Sequence, residues 1–210
     1  MILPEEIDDF FRGKLRDFGP SAEGMGWRDR QAQWIRFRQL IKIIEPAGSF
    51  SINDLGCGSG DLVQLLQEEF PDRFNYTGYD ALPEMITEAR KQYPVPSVSF
   101  RALTGYDEIK PADYSVASGI FNVRNSASDE SWLSYILTTL HAMSNTSTRG
   151  FAFNALTSYS DHDRMRSELY YADPLFLFDY CKKNFSRNVA LLHDYGIFDF
   201  TILIRKIVTS

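Results

Sequence analysis

Three glycines and two acids are packed into the stretch DLGCGSGD, which begins at Asp54 and directly follows a short apolar run. Gly56, Gly58 and Gly60 leave the backbone bare where a predicted strand turns into a helix, so a ligand can approach the main chain and the free N–H groups of the helix. The spacing is GxGxG, whereas the dinucleotide fingerprint is GxGxxG, and two flanking carboxylates would repel a pyrophosphate. The loop therefore predicts a ligand that is cationic or bears an amine.

A third acid stands at the end of the next predicted strand. In the segment TGYDALPEM, Asp80 occupies the strand-end position where a carboxylate can accept the hydroxyls of a ribose. An adenosine joined to a cationic amino-acid end describes S-adenosylmethionine. The residues therefore predict S-adenosylmethionine as the cofactor and S-adenosylhomocysteine as its product.

The elements that position these residues are indicated by alternating periods of apolar residues. A helix is predicted over 27–45, closed by Pro46 and Gly48. Because strands alternate with helices after it, a mostly parallel sheet with helices on both faces is expected. Further helices are predicted at 61–70, 83–93, 129–143 and 175–184. Strands are predicted at 51–55, 74–79, 98–103, 114–119, 150–155, 188–192 and 198–204.

The last two predicted strands are separated only by the segment from His193 to Ile197. A loop this short cannot hold a crossover helix, so these strands should form an antiparallel hairpin. The predicted fold class is α/β: a Rossmann-like three-layer sandwich whose mostly parallel seven-stranded sheet ends in that hairpin. We expect an N-terminal helical cap over 1–48 and a cofactor-binding domain over 49–210, with a polar lid insertion at about 156–174.

Composition limits the partners. Lys and Arg total 22 against 28 Asp and Glu, a net charge of −6, so no basic field is available for nucleic acid. The chain begins with an acidic segment and has no apolar run of the roughly 20 residues needed to span a bilayer, so a cytoplasmic protein without membrane contact is expected. Cys57 and Cys181 are expected to be reduced thiols, and no metal site is expected. Oligomeric state is left open.

At this point the chain resembles the class I S-adenosylmethionine-dependent methyltransferases. The resemblance rests on DLGCGSG, on Asp80, on ADYSVASG before a helix, and on the closing hairpin. It implies that the glycine loop touches the methionine part of the cofactor, that Asp80 holds the ribose, and that Leu103 and Thr104 flank the adenine. Many members carry Gly-Asp where this chain has Ala102-Leu103, so the resemblance implies adenine held by backbone groups and apolar contact.

Two longer segments, which begin at Gly24 and Tyr170, are similar to a group of bacterial methyltransferases without an assigned acceptor, some of them associated with surface-glycan biosynthesis. Many related enzymes also cap the cofactor with a helix before the first strand, which implies roles for Gln33 and Arg36 near its carboxylate; the alternative is an ordinary exposed helix face. The predicted cofactor-binding residues are Asp54, Gly56, Cys57, Gly58, Gly60, Asp80, Ala81, Leu103, Thr104, Ser118, Gly119, Trp27, Gln33 and Arg36.

Fewer residues in the sequence indicate how a methyl acceptor would be bound or activated. A hydroxyl acceptor benefits from a general base. His162 in the insertion, and His193 with Asp194 after the sixth strand, are the candidate catalytic residues, although each is also consistent with a solvated loop position. His141 is expected to be structural. An aromatic pocket, or a small core within the lid itself, is predicted from Tyr159, Tyr170 and Tyr171.

These observations favour methyl transfer to a small molecule, with oxygen preferred over nitrogen and a glycan or sugar precursor among the acceptors. The absence of a Pro-Pro pair after the fourth predicted strand argues against base methylation. Three alternatives stay open: a protein-directed methyltransferase, a non-catalytic module that binds the cofactor, and a nicotinamide-dependent oxidoreductase.

Overall fold

The computed structural model describes residues 30–45 and 47–207. Five helices are described, and we number them α1 to α5. They cover Arg30–Leu40, Leu62–Glu69, Pro83–Gln92, Asp129–Thr146 and Pro174–Asn184. The strands β1 to β7 cover Phe50–Leu55, Phe74–Asp80, Val98–Ala102, Ala112–Ala117, Ser147–Leu156, Asn188–Leu192 and Asp199–Arg205. Short 3-10 turns cover Ile41–Ile43, Tyr106–Glu108 and His162–Arg164.

The seven strands form one sheet in the order β3-β2-β1-β4-β5-β7-β6. Strands β1 to β5 pair in parallel, and β7 is antiparallel to both β5 and β6. The predicted α/β fold class, with a mostly parallel sheet closed by a hairpin, is therefore confirmed. Because β7 runs the other way, its first residue, Asp199, lies opposite Leu156 at the edge where the parallel strands end.

Each face of the sheet carries its own apolar core. On one face, α1 to α3 bury residues such as Leu40, Leu65 and Ile86 against the sheet, with α1 lying over β5 and β7. On the other face, α4 and α5 bury Trp132 and Leu177 against β4, β5 and β7. The described part of the predicted N-terminal cap is thus a helix whose apolar side belongs to the first core. Residues 1–29, including Trp27, lie outside the described part of the chain.

Some element boundaries differ from those predicted, each for a local reason. The pre-strand helix ends at Leu40 and tightens into the 3-10 turn before Pro46. The fourth strand stops at Ala117 because Gly119 has a φ of 72° and gives its N–H to a side chain instead of a strand. The fifth strand is longer than predicted because Ser147 pairs with Ala112 of β4 at its start and Leu156 pairs with Asp199 of β7 at its end.

Strand β3 is an outer strand of the sheet. Its middle carbonyl, that of Phe100, accepts hydrogen bonds from Nε and Nη2 of Arg90 at 3.2 and 2.7 Å. Arg90 belongs to α3, so this helix covers part of the strand edge as well as the sheet face. Among the described helices, none has the length and hydropathy needed to cross a membrane.

Candidate functional site

The glycine loop between β1 and α2 is built from backbone conformations that favour glycine. Gly56, Gly58 and Gly60 have φ values of 71°, 53° and 85°. The N–H groups of Gly56 and Cys57 both donate to the Tyr79 carbonyl, at 2.7 and 3.0 Å, so the loop is fixed against the end of β2. A Cβ at Gly56 would lie 2.2 Å from Cγ2 of Ile120, which brings the segment after β4 directly onto the loop.

Asp80 closes the other side of this loop. Its buried carboxylate accepts hydrogen bonds from the N–H groups of Gly58 at 2.9 Å and Leu82 at 3.0 Å. Burial raises the pKa of Asp80, and the two amide bonds oppose that rise. An ionised carboxylate has about four acceptor sites, so this side chain can order the loop and still accept ligand hydroxyls.

Asp54 is the last residue but one of β1, beneath the loop, and is also buried. The hydroxyl of Tyr76, on the neighbouring strand β2, donates to its Oδ2 at 2.8 Å. Burial raises the pKa of Asp54 to about 7; the Tyr76 hydrogen bond lowers it, and the charges of Asp80 and Asp61 raise it. Three carboxylates therefore gather around one loop, which suits a cation.

Cys57 fills space inside this cluster. A Cβ at Gly78 would lie 2.8 Å from the Cys57 sulfur, so glycine on β2 makes room for the thiol. Burial, together with the charges of Asp80 and Asp54, raises the pKa of Cys57 well above its ordinary value. The residue is thus a neutral thiol packed under the loop.

Helix α1 joins the loop to the opposite part of the same edge. Gln33 donates from Nε2 to Asp61 Oδ2 at 3.3 Å, which places it beside the glycine loop. One turn later, Nε and Nη2 of Arg36 donate to the two carboxylate oxygens of Asp199, both at 2.8 Å. The side chains of this ion pair are 11% and 1% exposed. Arg36 is therefore anchored to β7, a partner that sequence reasoning missed.

The residues expected near the adenine lie together at the end of β2 and β3. The Leu103 N–H donates to the Asp80 carbonyl at 2.9 Å, and the Leu103 side chain is buried. Thr104 is exposed, and its hydroxyl donates to Glu108, an acid that sequence reasoning did not single out. Ala81, between these strands, is partly exposed.

The segment after β4 is held by Asn154 of β5. The Gly119 N–H donates to Asn154 Oδ1 at 2.7 Å, and Asn154 Nδ2 donates to the Ser118 hydroxyl at 3.2 Å. Ser118 and Gly119 are thereby fixed beside Ile120, which covers the glycine loop. Asn154 was missed, although one amide within the otherwise apolar run GFAFNA was a visible signal; Asp199, the single acid between aromatic residues in FDF, was another.

The insertion between β5 and α5 is fixed by backbone hydrogen bonds on two sides. The N–H groups of Arg124 and Asn125 donate to the Glu168 carbonyl at 3.1 and 2.9 Å, and that of Tyr170 donates to the Asn122 carbonyl at 2.9 Å. At its other side, Ala172 N–H donates to the Leu156 carbonyl at 2.9 Å. The insertion therefore spans the carboxyl edge from the end of β4 to the end of β5.

The candidate catalytic residues lie on this second part of the edge and are exposed. His193 and Asp194 follow β6, and His162 begins a 3-10 turn of the insertion. The rings of Tyr159 and His193 approach to 6.0 Å between centroids, so the insertion and the β6–β7 turn meet there. Tyr171 makes a hydrogen bond within the insertion, because its hydroxyl accepts the Arg166 N–H at 3.0 Å. The ring of His141 packs against Phe185 and Tyr180.

A surface groove of about 610 Å³ lies elsewhere, beside the outer strand β3. It is lined by the end of α3 and by β3, including Arg90, Tyr93 and Arg101. None of the predicted site residues lines it, so the candidate site rests on the loop and its acids. Among the described residues, no group of three or more His, Cys, Asp and Glu side chains could hold a metal ion.

Comparison with known proteins agrees with this geometry. The family described as "Methyltransferase domain" matches residues 52–142, which include the glycine loop, Asp80 and Gly119. One relative is Rv1506c of Mycobacterium tuberculosis (strain ATCC 25618 / H37Rv), whose name describes a methyltransferase and specifies no acceptor. It is 49% identical over 167 residues, which cover 79% of this chain and 99% of the relative. The chain belongs to the S-adenosylmethionine-dependent methyltransferase family. A nicotinamide-dependent oxidoreductase and a non-catalytic module are therefore no longer needed as explanations.

Solved structures share the fold of this methyltransferase. The N-methyltransferase NodS from Bradyrhizobium japonicum WM9, in complex with S-adenosylhomocysteine, matches with a TM-score of 0.65 and 14% identity over 93% of this chain and 97% of that one. Magnesium protoporphyrin IX methyltransferase from Synechocystis PCC 6803, with bound S-adenosylhomocysteine, matches at 0.63 and 12%, over 96% and 95%. Their acceptors differ, so the fold alone does not select one.

S-adenosylmethionine is the methyl donor of this methyltransferase. The residues present fit it, since the loop offers glycine backbone and the three acids around it are Asp54, Asp61 and Asp80. The assignment of individual cofactor contacts, and of His162, His193 and Asp194 as catalytic residues, remains a prediction.

Proposed function

We propose that the methyltransferase acts on a hydroxyl oxygen of a small-molecule acceptor. The observation that carries this proposal is the insertion, which is hydrogen-bonded to the segment after β4 and to the end of β5 and so crosses the edge near Ser118 and Gly119. An edge crossed by an insertion suits a compact acceptor better than an extended polymer.

The side chains on this part of the edge support oxygen as the acceptor atom. When bound, S-adenosylmethionine supplies an activated methyl group, which passes to oxygen while the hydroxyl proton goes to a base. The chain's task is to align the acceptor, exclude water and take up that proton. His193 and His162 are the imidazoles available here, and Tyr159, which is 64% exposed, offers a ring face beside His193. An exposed ring beside polar groups is compatible with a sugar or an aromatic acceptor.

A direct test combines cofactor binding with turnover. Purified protein is titrated with S-adenosylmethionine, S-adenosylhomocysteine and NAD while its melting temperature is recorded, and acceptors are screened by S-adenosylhomocysteine release. We expect shifts with the first two ligands and turnover with hydroxylated small molecules. A ligand at 100 times its Kd stabilises by about 2.7 kcal/mol, which is readily measured. Turnover confined to a protein acceptor would contradict the proposal.

The role of the histidines is tested separately. His193→Gln, or His162→Gln if His162 is the base, should lower kcat about a hundredfold and leave the Kd for S-adenosylhomocysteine unchanged. His141→Gln is the matched control, because His141 bonds to the Tyr180 hydroxyl away from this edge. Full activity in both His193→Gln and His162→Gln would contradict a histidine base.

A further inference from the structure

A buried phenol lies beneath the glycine loop. Tyr76 is 1% exposed and lies on β2 beside β1, and its hydroxyl is 2.8 Å from Asp54 Oδ2. Its ring meets Phe100 edge-on at 5.6 Å, so the phenol is held firmly. The hydroxyl therefore has a fixed direction onto the carboxylate.

The surroundings of Asp54 disfavour the ionised form of its carboxyl group. The residue is 3% exposed, and the neighbouring carboxylates of Asp80 and Asp61 add like charge. The thiol of Cys57, also near, is neutral. A hydrogen bond donated to a carboxylate favours its ionised form, and Tyr76 donates such a bond here. The phenol thus opposes both burial and the other two acids.

We propose that Tyr76 is a positioning residue that keeps Asp54 ionised for the cationic amino-acid part of the cofactor, and so sets the pH range in which the cofactor binds. This inference rests on cofactor binding and not on the proposed acceptor. A protonated Asp54 attracts an ammonium group only weakly. Affinity should therefore fall as the pH drops below about 7, where burial and the acids place the pKa of Asp54. Removing the phenol hydroxyl should move that fall to higher pH.

The experiment measures the Kd of S-adenosylhomocysteine by calorimetry from pH 6 to pH 9. It compares the wild type with Tyr76→Phe and Tyr79→Phe. Tyr79 is the matched control, since it lies on the same strand, is also 1% exposed, and its hydroxyl accepts one hydrogen bond, from the Lys110 N–H. For a rise of about one pKa unit, Tyr76→Phe should bind about tenfold more weakly at pH 6 and equally well at pH 9. Tyr79→Phe should follow the wild type at every pH.

A second ligand and a second variant test whether the effect depends on the amino-acid part of the ligand and on the ionisation of Asp54. 5′-Methylthioadenosine lacks the amino-acid part, so its Kd should not respond to Tyr76→Phe at any pH. Asp54→Asn cannot ionise, so its affinity for S-adenosylhomocysteine should lose the dependence on pH between 6 and 8. Melting temperatures confirm that each variant is folded.

Several results would overturn the inference. A loss of affinity in Tyr76→Phe that is equal at pH 6 and pH 9 would indicate a packing role alone. If the Kd of Tyr76→Phe followed the wild type at every pH, the hydroxyl would be dispensable. If Tyr79→Phe showed the same change with pH as Tyr76→Phe, the effect would not be specific to the hydrogen bond with Asp54. A wild type that binds no S-adenosylhomocysteine at any pH would instead contradict the assigned cofactor, while failure of acceptor turnover would leave these binding results intact.

Discussion

The glycine loop and the insertion after β5 lie on the same edge of one sheet, but they are held in different ways. Around the loop, Asp54 and Asp80 are buried, and their partners are a phenol and two backbone amides. The insertion is fixed through its backbone, and its polar and aromatic side chains, such as His162 and Tyr159, face solvent. Under the proposed function, the cofactor that the whole family shares would contact buried groups, and the acceptor would contact exposed side chains on a fixed backbone.

The largest effect is expected where the two regions are tied together, at Asp199. Asp199→Ala leaves the nearly buried guanidinium of Arg36 without its bidentate partner, which should lower the free energy of unfolding by about 3–5 kcal/mol. Urea denaturation measures this change. The control is Asp161→Ala, which removes an exposed pair with Arg164 at 3.7 Å and should cost less than about 1 kcal/mol. Equal effects would mean that the tie between α1 and β7 is unimportant.

Two glycines with similar φ values compare the loop with the β6–β7 turn, which meets the insertion. Gly56 and Gly196 have φ values of 71° and 72°, but a Cβ would strike Ile120 at the first and meet nothing within 4 Å at the second. Gly56→Ala should lower the free energy of unfolding by about 2–5 kcal/mol, because left-handed strain and overpacking act together, and it should weaken cofactor binding. Gly196→Ala should cost only the strain, about 1–2 kcal/mol, with the Kd for S-adenosylhomocysteine unchanged. Denaturation and calorimetry on both variants test the difference; equal losses would contradict it.

Asp80→Ala should weaken cofactor binding by about 1–3 kcal/mol, because the Gly58 and Leu82 amides lose their acceptor and a bound ribose would lose one as well. Calorimetry with S-adenosylhomocysteine measures the change. Asp194→Ala, on the exposed part of the edge, should leave that Kd unchanged. Unaltered affinity in Asp80→Ala would mean that the ribose binds elsewhere.

The last effect concerns the stability of the protein without ligand. Burial raises the pKa of Asp54 from 3.8 to about 7, so between these values the folded protein holds a proton that the unfolded chain has released. The resulting stability is complete below about pH 4 and is lost as the pH rises through 7, by at most about 1.4 kcal/mol per unit. Asp54→Asn should therefore gain stability relative to the wild type between pH 5 and pH 7. Urea unfolding at each pH measures the difference in free energy of unfolding between the two proteins. A difference that stays constant between pH 5 and pH 7 would contradict the prediction.

The sequence was sufficient for the fold because the fold depends on local signals. Pro83 begins α3, and Asp173 before Pro174 caps α5 by accepting the N–H groups of Leu175 and Phe176. Apolar runs separated by such signals reveal strands and helices in order, and the short turn after β6 reveals the hairpin. Boundaries were less accurate, since pairing with β4 at one end and with β7 at the other extends β5 beyond its apolar run.

The site was only partly predictable, because several of its contacts join distant parts of the chain. The glycine spacing identifies the loop, but nothing local indicates that Arg36 pairs with Asp199, 163 positions away. Tyr76 has the appearance of an ordinary aromatic strand residue until Asp54 is seen beside it. Ile120, which covers Gly56, belongs to a turn whose path depends on Asn154. Contacts of this kind depend on strand order and register, which periodicity does not specify.

The hydrogen bonds between Arg90 and the Phe100 carbonyl have a consequence for the behaviour of the protein at high concentration. An outer strand with free carbonyl and N–H groups is a template on which another chain can add a strand. Here the middle acceptor of β3 is already occupied by a guanidinium, and a positively charged side chain stands in the path of an incoming backbone. The outer boundary of the sheet at β3 is thereby protected against edge-to-edge aggregation by a residue of its own covering helix.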